Sequence, residues 1–286
     1  MAYQYLTESA IQHFISLALK EDIQDGDHSS LASIPEGKKS TAQLIIKGEG
    51  ILAGVEMAQH IFKKVDSNLT LEIFKKDGEQ VKYGDIGLKV SGSAISILSS
   101  ERLVLNCLQR MSGIATYTHH LSSLIAHTHT KLLDTRKTTP NFRIAEKWAV
   151  AIGGGKNHRY GLFDMIMLKD NHNDFAGGIT QAVKATQSYL KEKSLDLRIE
   201  VETRNLKEVE EVLSLGGVDV IMLDNMSTEM MAKAVEMING KCETEASGGI
   251  TEETIVAIAE TGVDYISVGA LTHSYKSLDI SLKAVS

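Results

Sequence analysis

The chain has 286 residues, enough for about two domains of roughly 100 to 200 residues each or for a single barrel. Its 43% hydrophobic and 23% charged residues, with only two prolines, exclude disorder, and a net charge of −7 argues against nucleic-acid binding. No run approaches the length of a membrane span and MAYQYLTESAIQ carries no leader pattern, so a cytoplasmic protein is expected. Cys107 and Cys242 fit neither a disulfide framework nor a zinc motif, and reduced structural thiols are expected.

In chain order, Thr7 can cap a helix on which Ile11, Phe14, Ile15 and Ala18 form one apolar stripe. Short β-like runs follow at 41–47, 51–54, 69–74 and 86–92, with a helical VEMAQHIFKKV between two of them, and together they predict a compact α+β region. From Ser93 to about Ala126 the pattern is one long helix. Beyond it, apolar strands at 131–134, 165–169, 198–202, 220–223, 242–247 and 265–269 alternate with helices predicted at 143–151, 179–192, 206–214, 227–238 and 251–261. Repeated βα units imply parallel strands with helical crossovers, which fits both a doubly wound sheet and a barrel. The strand ends favour the barrel: Asp134, Lys169, Glu202, Asp224, Ser247 and Gly269 would converge on the face where barrel catalytic groups sit.

Three features carry chemistry. Between Arg136 and Asp170 stand seven cations against three acids, a basic segment in an acidic chain that suggests an anionic ligand. The first, at the start of this segment, is Asp134-Thr135-Arg136-Lys137-Thr138-Thr139-Pro140, which offers a planar guanidinium fork beside a compact ammonium. The second is Gly153-Gly154-Gly155-Lys156-Asn157-His158-Arg159, followed by Lys169-Asp170-Asn171-His172; glycines there let backbone approach a ligand, and the accompanying cations bring His158 and His172 in as candidates. The third pairs Glu202 and Asp224 at successive strand ends with the turns Ser247-Gly248-Gly249 and Val268-Gly269-Ala270, a pattern for phosphate on backbone amides and for Mg²⁺ or ribose hydroxyls on carboxylates. Glu200 alternates with Glu202 across Val201 and faces the same side. These residues describe a site for a phosphorylated ribose and an anionic co-substrate. A silent sugar-phosphate binder on the same barrel, or an aldolase-type enzyme using Lys137 or Lys169 as a Schiff-base amine, is also compatible with them.

The strings DTRKTTP (134–140), GGGKNHR (153–159), LKDNH (168–172), IEVE (199–202), MLDN (222–225) and EASGGI (245–250) resemble the quinolinate phosphoribosyltransferase family in order and spacing, as do EDIQDGDHSS (21–30) and SSERLVLNCLQRMSGIAT (99–116). A related group of pyrophosphorylases associated with molybdenum transport shares the fold and an Arg-Lys-Thr loop but lacks intact Lys-Asn-His-Arg and Lys-Asp-Asn-His strings, and it stands as the alternative. The resemblance implies a type II phosphoribosyltransferase with an α/β sandwich over 1–115, rejoined by 278–286, and an incomplete α/β barrel over 116–277. It implies transfer of phosphoribosyl from phosphoribosyl pyrophosphate to quinolinate with loss of CO₂, using Mg²⁺, in at least a homodimer with shared active sites. Arg102 would cross to the partner's site. Thr135, Arg136, Lys137, His158, Arg159, Lys169 and His172 would surround quinolinate, Glu202 and Asp224 the ribose and Mg²⁺, and Ser247, Gly248, Gly249, Ser267, Val268, Gly269 and Ala270 the phosphate. Lys137, Lys169, Glu202 and Asp224 would be catalytic. Thr203-Arg204 departs from the family pattern just after Glu202.

Overall fold

In the computed structural model, which describes residues 4–285, Thr7 accepts the Ala10 amide and starts helix Glu8–Ile23, and Ile11 and Ile15 are the residues this helix buries. Five strands come before the long helix Ala94–Leu124: β1 (Lys39–Ile46), β2 (Gly50–Ile51), β3 (Thr70–Ile73), β4 (Gln80–Val81) and β5 (Ile86–Ser93). After it come β6 (Lys131–Leu133), β7 (Ile166–Leu168), β8 (Ile199–Thr203), β9 (Val220–Asp224), β10 (Glu243–Ser247), β11 (Tyr265–Ser267) and β12 (Ile280–Val285).

The chain divides into two compact units. The first takes residues up to 119, then 137–154, then the chain from 270 onward. Its main sheet is antiparallel in the order β12-β1-β5-β3, and the last strand lies beside the first with Leu44 opposite Leu282 and Ile46 opposite Ile280. Alternation sends Leu44, Ile46, Leu88 and Val90 inward, where all four are fully buried, as are Met57, Ile61 and Phe62 of helix Val55–Val65. Asp77 starts that helix by accepting the amides of Val55 and Glu56 at 2.8 and 3.0 Å. Asp27 caps helix His28–Ser33 through the Ser30 amide and also accepts the Ser99 hydroxyl at 3.2 Å, which ties the EDIQDGDHSS string to the long helix. On the long helix Val104, Cys107, Leu108, Met111 and Ile114 recur at helical spacing and are buried; burial pushes the Cys107 thiol up to about 12, so it is an inert packing residue.

The second unit, residues 120–136 and 155–269, is a parallel sheet in the order β6-β11-β10-β9-β8-β7. Its outer strands β6 and β7 are not paired with each other. The segment from Gly155 runs alongside β6 instead, with a parallel bridge between Leu133 and Lys156, so the barrel is incomplete at this seam. Helices Ile179–Lys193, Leu206–Leu215 and Thr228–Ile238 lie where periodicity places them. Two elements differ from expectation. The predicted helix over 251–261 is only Ile255–Ala259, because the Thr254 hydroxyl accepts the Thr251 amide and holds a turn ahead of it. A short helix, Asp170–Ala176, forms in a polar stretch without apolar periodicity. No helix among the described residues is long and apolar enough to cross a membrane.

Candidate active site

The C-terminal ends of the parallel strands bring together what the sequence scatters. Glu200 and Glu202 share one face of β8, Met222 and Asp224 one face of β9, and Glu243, Glu245 and Ser247 one face of β10; Ser247 pairs with Asp224, and Glu202 with Met222. Glu202 is buried and takes the ammonium of Lys169, just past β7, at 3.6 Å, while its other oxygen accepts the Asp170 amide at 3.2 Å. Asp224 accepts the side-chain amide of Asn225 at 2.7 Å. Gly248 has φ +94, and a Cβ there would stand 2.3 Å from the Asn225 side-chain oxygen, so both the conformation and the space demand glycine. Ser267 and Val268 are buried, and the Val268 amide donates to the Leu133 carbonyl at 3.0 Å; that amide is occupied by the sheet. Gly269 is half-buried, and Ala270 begins the short helix Ala270–His273 in the first unit.

Of the predicted cations, Arg136 and Arg159 lie in the second unit and are both half-buried. The Arg159 guanidinium donates to the Met165 carbonyl at 3.3 Å, and burial followed by the positive charge of Arg136 lowers its pKa. Two guanidinium groups close enough to disfavour each other are a place for an anion. Thr135, next to Arg136 in sequence, is half-buried. Lys137 belongs to the first unit, where its side chain is exposed, its carbonyl accepts the Thr272 hydroxyl at 2.8 Å, and it lines a polar cleft of about 500 Å³ with Arg110, Thr139, His273 and Tyr275. The loop after Lys137 is held by Glu146, fully buried, which accepts the Thr139 amide at 2.9 Å and the Arg110 guanidinium at 3.2 Å. Arg102 is exposed on the long helix. The basic segment therefore does not act as a block: Lys147 is wholly buried in the first unit, Arg143 donates to the Thr138 hydroxyl, and Lys156 lies 5.4 Å over the Tyr265 ring.

His158 sits at the seam. Asp134, fully buried at the end of β6, accepts the His158 amide at 2.8 Å and the Asn157 side chain at 2.7 Å, which fixes the segment after the triple glycine. The His158 ring points inward, with Nε2 at 2.8 Å from Glu200 and 3.3 Å from Glu245, and Nδ1 accepts the Arg159 amide at 2.7 Å. Burial opposes charge on the ring, while the hydrogen bonds and negative charge of Glu200 and Glu245 favour it, but the geometry at Nδ1 decides which form is present. A second ring proton would have to sit on Nδ1, facing an amide that can only donate; the neutral Nε2–H form satisfies every one of these contacts. Burial, then the charge of Glu245, raises Glu200 to about 7. His172 is exposed and its Nδ1 accepts the Lys169 amide at 3.1 Å, the cap that starts the short polar helix. Thr203 donates to the Met222 carbonyl and Arg204 pairs with Glu208 and Asp174, so the departure after Glu202 serves the sheet and the next helix.

Sequence reasoning missed Glu245. The signal was the alternation Glu243-Thr244-Glu245 in CETEAS, which repeats the Glu200-Val201-Glu202 pattern two strands away. Among the described residues, His158, Glu200 and Glu245 are also the one group of three or more His, Cys, Asp or Glu close enough to share an ion. Glu202 and Asp224, by contrast, are two hard oxygen donors at neighbouring strand ends, the number that Mg²⁺ takes from protein when phosphates complete its shell.

An incomplete parallel barrel with cations, paired acids and glycine turns at its strand ends defines an enzyme for an anionic, phosphorylated substrate. Residues 27–112 match the model of the quinolinate phosphoribosyl transferase N-terminal domain and residues 114–283 that of its C-terminal domain, and the chain belongs to this family. It is 51% identical over 284 residues to the chloroplastic nicotinate-nucleotide pyrophosphorylase [carboxylating] of Oryza sativa subsp. japonica, covering 94% of this chain and 76% of that one. It is 42% identical to the probable nicotinate-nucleotide pyrophosphorylase [carboxylating] of Bacillus subtilis (strain 168), over 92% of this chain and 89% of that one. The crystal structure of NadC from Streptococcus pyogenes superposes with a TM-score of 0.90 at 40% identity, covering 98% of this chain and 99% of that one.

Proposed function

We propose that this chain transfers phosphoribosyl from phosphoribosyl pyrophosphate to quinolinate with loss of CO₂, giving nicotinic acid mononucleotide and pyrophosphate for pyridine-nucleotide biosynthesis. The observation that carries the reading is the alignment of Lys169, Glu202, Asp224 and Ser247 at the ends of four adjacent parallel strands, with Arg136 and Arg159 as mutually repelling guanidiniums in the same unit. Quinolinate brings two carboxylates and the co-substrate brings three phosphoryl groups, so cations must offset repulsion among substrates before any bond forms. Arg136, Arg159 and Lys169 take the dicarboxylate; the resemblance adds Lys137, next in sequence to Arg136. The amides of Ser247 to Gly249 and of Ser267 to Ala270, apart from the occupied Val268 amide, are assigned to the terminal phosphate.

The pyridine nitrogen forms its bond to the anomeric carbon as the bond from that carbon to pyrophosphate breaks, and the pyrophosphate leaves with the electron pair. Glu202 and Asp224 stabilise positive charge on the sugar as it develops. The nitrogen is then quaternary, the ring accepts the electrons of the neighbouring carbon–carboxylate bond, CO₂ leaves, and the ring carbon takes a proton from water. Glu202 and Asp224 fit Mg²⁺ by donor type, and bound Mg²⁺ would supply charge neutralisation for the diphosphate. We further propose a homodimer in which Arg102 completes the partner's site. The test is to supply phosphoribosyl pyrophosphate with quinolinate or with nicotinate and to separate the nucleotide product. Mononucleotide from quinolinate supports the reading; mononucleotide from nicotinate alone overturns it.

A further inference from the structure

Below the strand-end site lies a buried polar layer that the proposed reaction does not use. Glu200 and Glu245 are 0% and 1% exposed, on the same inward face of β8 and β10, and each keeps one side-chain oxygen with no hydrogen-bond partner. Such groups cost free energy to bury, and a fold that served stability alone would replace them with apolar residues. Both converge on one donor, His158 Nε2, at 2.8 and 3.3 Å. The other ring nitrogen accepts the amide of Arg159 at 2.7 Å. Their mutual distances would also suit an ion, but a proton on Nε2 accounts for both short contacts.

We infer that Glu200 and Glu245 are positioning residues that clamp His158 in its Nε2–H form so that Nδ1 fixes the backbone of Arg159, and with it the guanidinium that receives quinolinate. The inference rests on the substrate reading of Arg159 given above. Two carboxylates against one N–H leave the ring a single orientation, because turning it over would put Cε1–H in place of Nε2–H against both and take Nδ1 away from the Arg159 amide. The ring then does for Arg159 what an orienting group does for a metal-bound or catalytic histidine: it transmits position. The Asp134 carboxylate, holding the His158 amide and Asn157, fixes the same segment from the β6 side, so the chain entering Arg159 is held from both edges of the seam.

The test uses Glu245→Gln and Glu200→Gln in the full chain, alone and combined with His158→Gln. Losing one charge-assisted contact to the ring should raise KM for quinolinate about tenfold or more, leave KM for phosphoribosyl pyrophosphate within about twofold, and lower kcat less than it raises KM. In the His158→Gln background the same substitutions should add little, since the route through the ring is already cut. Nitrogen-15 spectra of the histidine rings give a second readout that needs no turnover: a protonated Nε2 and a bare Nδ1 in the wild-type chain, and mixed tautomers in either Gln variant. Failure of the substrate reading would leave this spectrum intact while abolishing quinolinate turnover in the wild type. An unchanged quinolinate KM, an effect that persists in full without His158, or a wild-type ring with Nδ1 protonated would each overturn the inference.

Discussion

Lys169 Nζ stands 3.6 Å from Glu202 Oε2, joining the ends of β7 and β8 by an ion pair whose carboxylate is buried and whose ammonium is half-exposed. The pair sets a negative and a positive group side by side on the rim, the lysine with half its side chain exposed. Glu202→Gln should therefore lower kcat by about 10²- to 10³-fold, the usual loss when one preorganised charge facing a transition state is removed. Adding Asp224→Asn should also flatten the dependence of residual turnover on Mg²⁺. Steady-state rates over a Mg²⁺ series check both, and wild-type turnover in the double variant would remove these acids from the site.

Lys137→Ala separates function from fold. The side chain is exposed, and the bond from Thr272 goes to the Lys137 carbonyl, which alanine keeps. Stability should stay within about 0.5 kcal/mol of wild type, as for surface substitutions generally. Turnover with quinolinate should fall by at least about 10²-fold. Denaturant unfolding alongside kinetics measures both, and a folded variant with full activity contradicts the assignment.

Glu146 gives a pH signature. Burial raises its pKa, with the Thr139 and Arg110 bonds working against the rise, so the folded state favours its protonated form more than the unfolded state does. A raised carboxyl contributes stability that is fully present below the ordinary value of 4.5 and is lost as pH climbs through the folded-state value. Glu146→Gln has no such titration. Its thermal midpoint relative to wild type should rise as pH increases from about 4 upward and then level off, a trend that scanning calorimetry across pH would detect. A difference constant with pH would mean that Glu146 titrates normally.

The proposed shared site is tested by mixing inactive chains. Arg102→Ala and Lys137→Ala should each be nearly inactive alone, and their heterodimer would contain one site with both defects and one with neither. Co-expression should recover up to about half of wild-type activity if sites act independently. No recovery in a purified heterodimer would place both residues in one chain's own site or leave Arg102 outside it.

Much of the site was legible because the strand ends are polar at intervals that only a parallel sheet explains. Asp134, Lys169, Glu202, Asp224 and Ser247 stand at strand ends, and Glu200 faces with Glu202 as alternation requires. What stayed hidden depends on packing across strands. Nothing in CETEAS says that Glu245 meets a histidine from the seam, since His158 lies outside any regular strand and 42 positions from Glu200 as well. Charge counting over 136–170 read Lys147 with Arg136, although one is wholly buried on helix Arg143–Ile152 and the other is half-buried beyond β6. The polar helix Asp170–Ala176 carried no apolar period at all, and the cap from His172 that starts it is a side-chain contact.

In the proposed reaction one site couples transfer of the ribose to loss of a carboxylate. Quinolinate labelled in the carboxyl carbon beside the ring nitrogen tests it directly, by counting labelled CO₂ against pyrophosphate as each turnover proceeds. One CO₂ for each pyrophosphate, and none when phosphoribosyl pyrophosphate is withheld, is the result expected of a reaction in which quaternisation must come first. Labelled CO₂ released without phosphoribosyl pyrophosphate, or pyrophosphate released while the label stays in the nucleotide, would contradict the account.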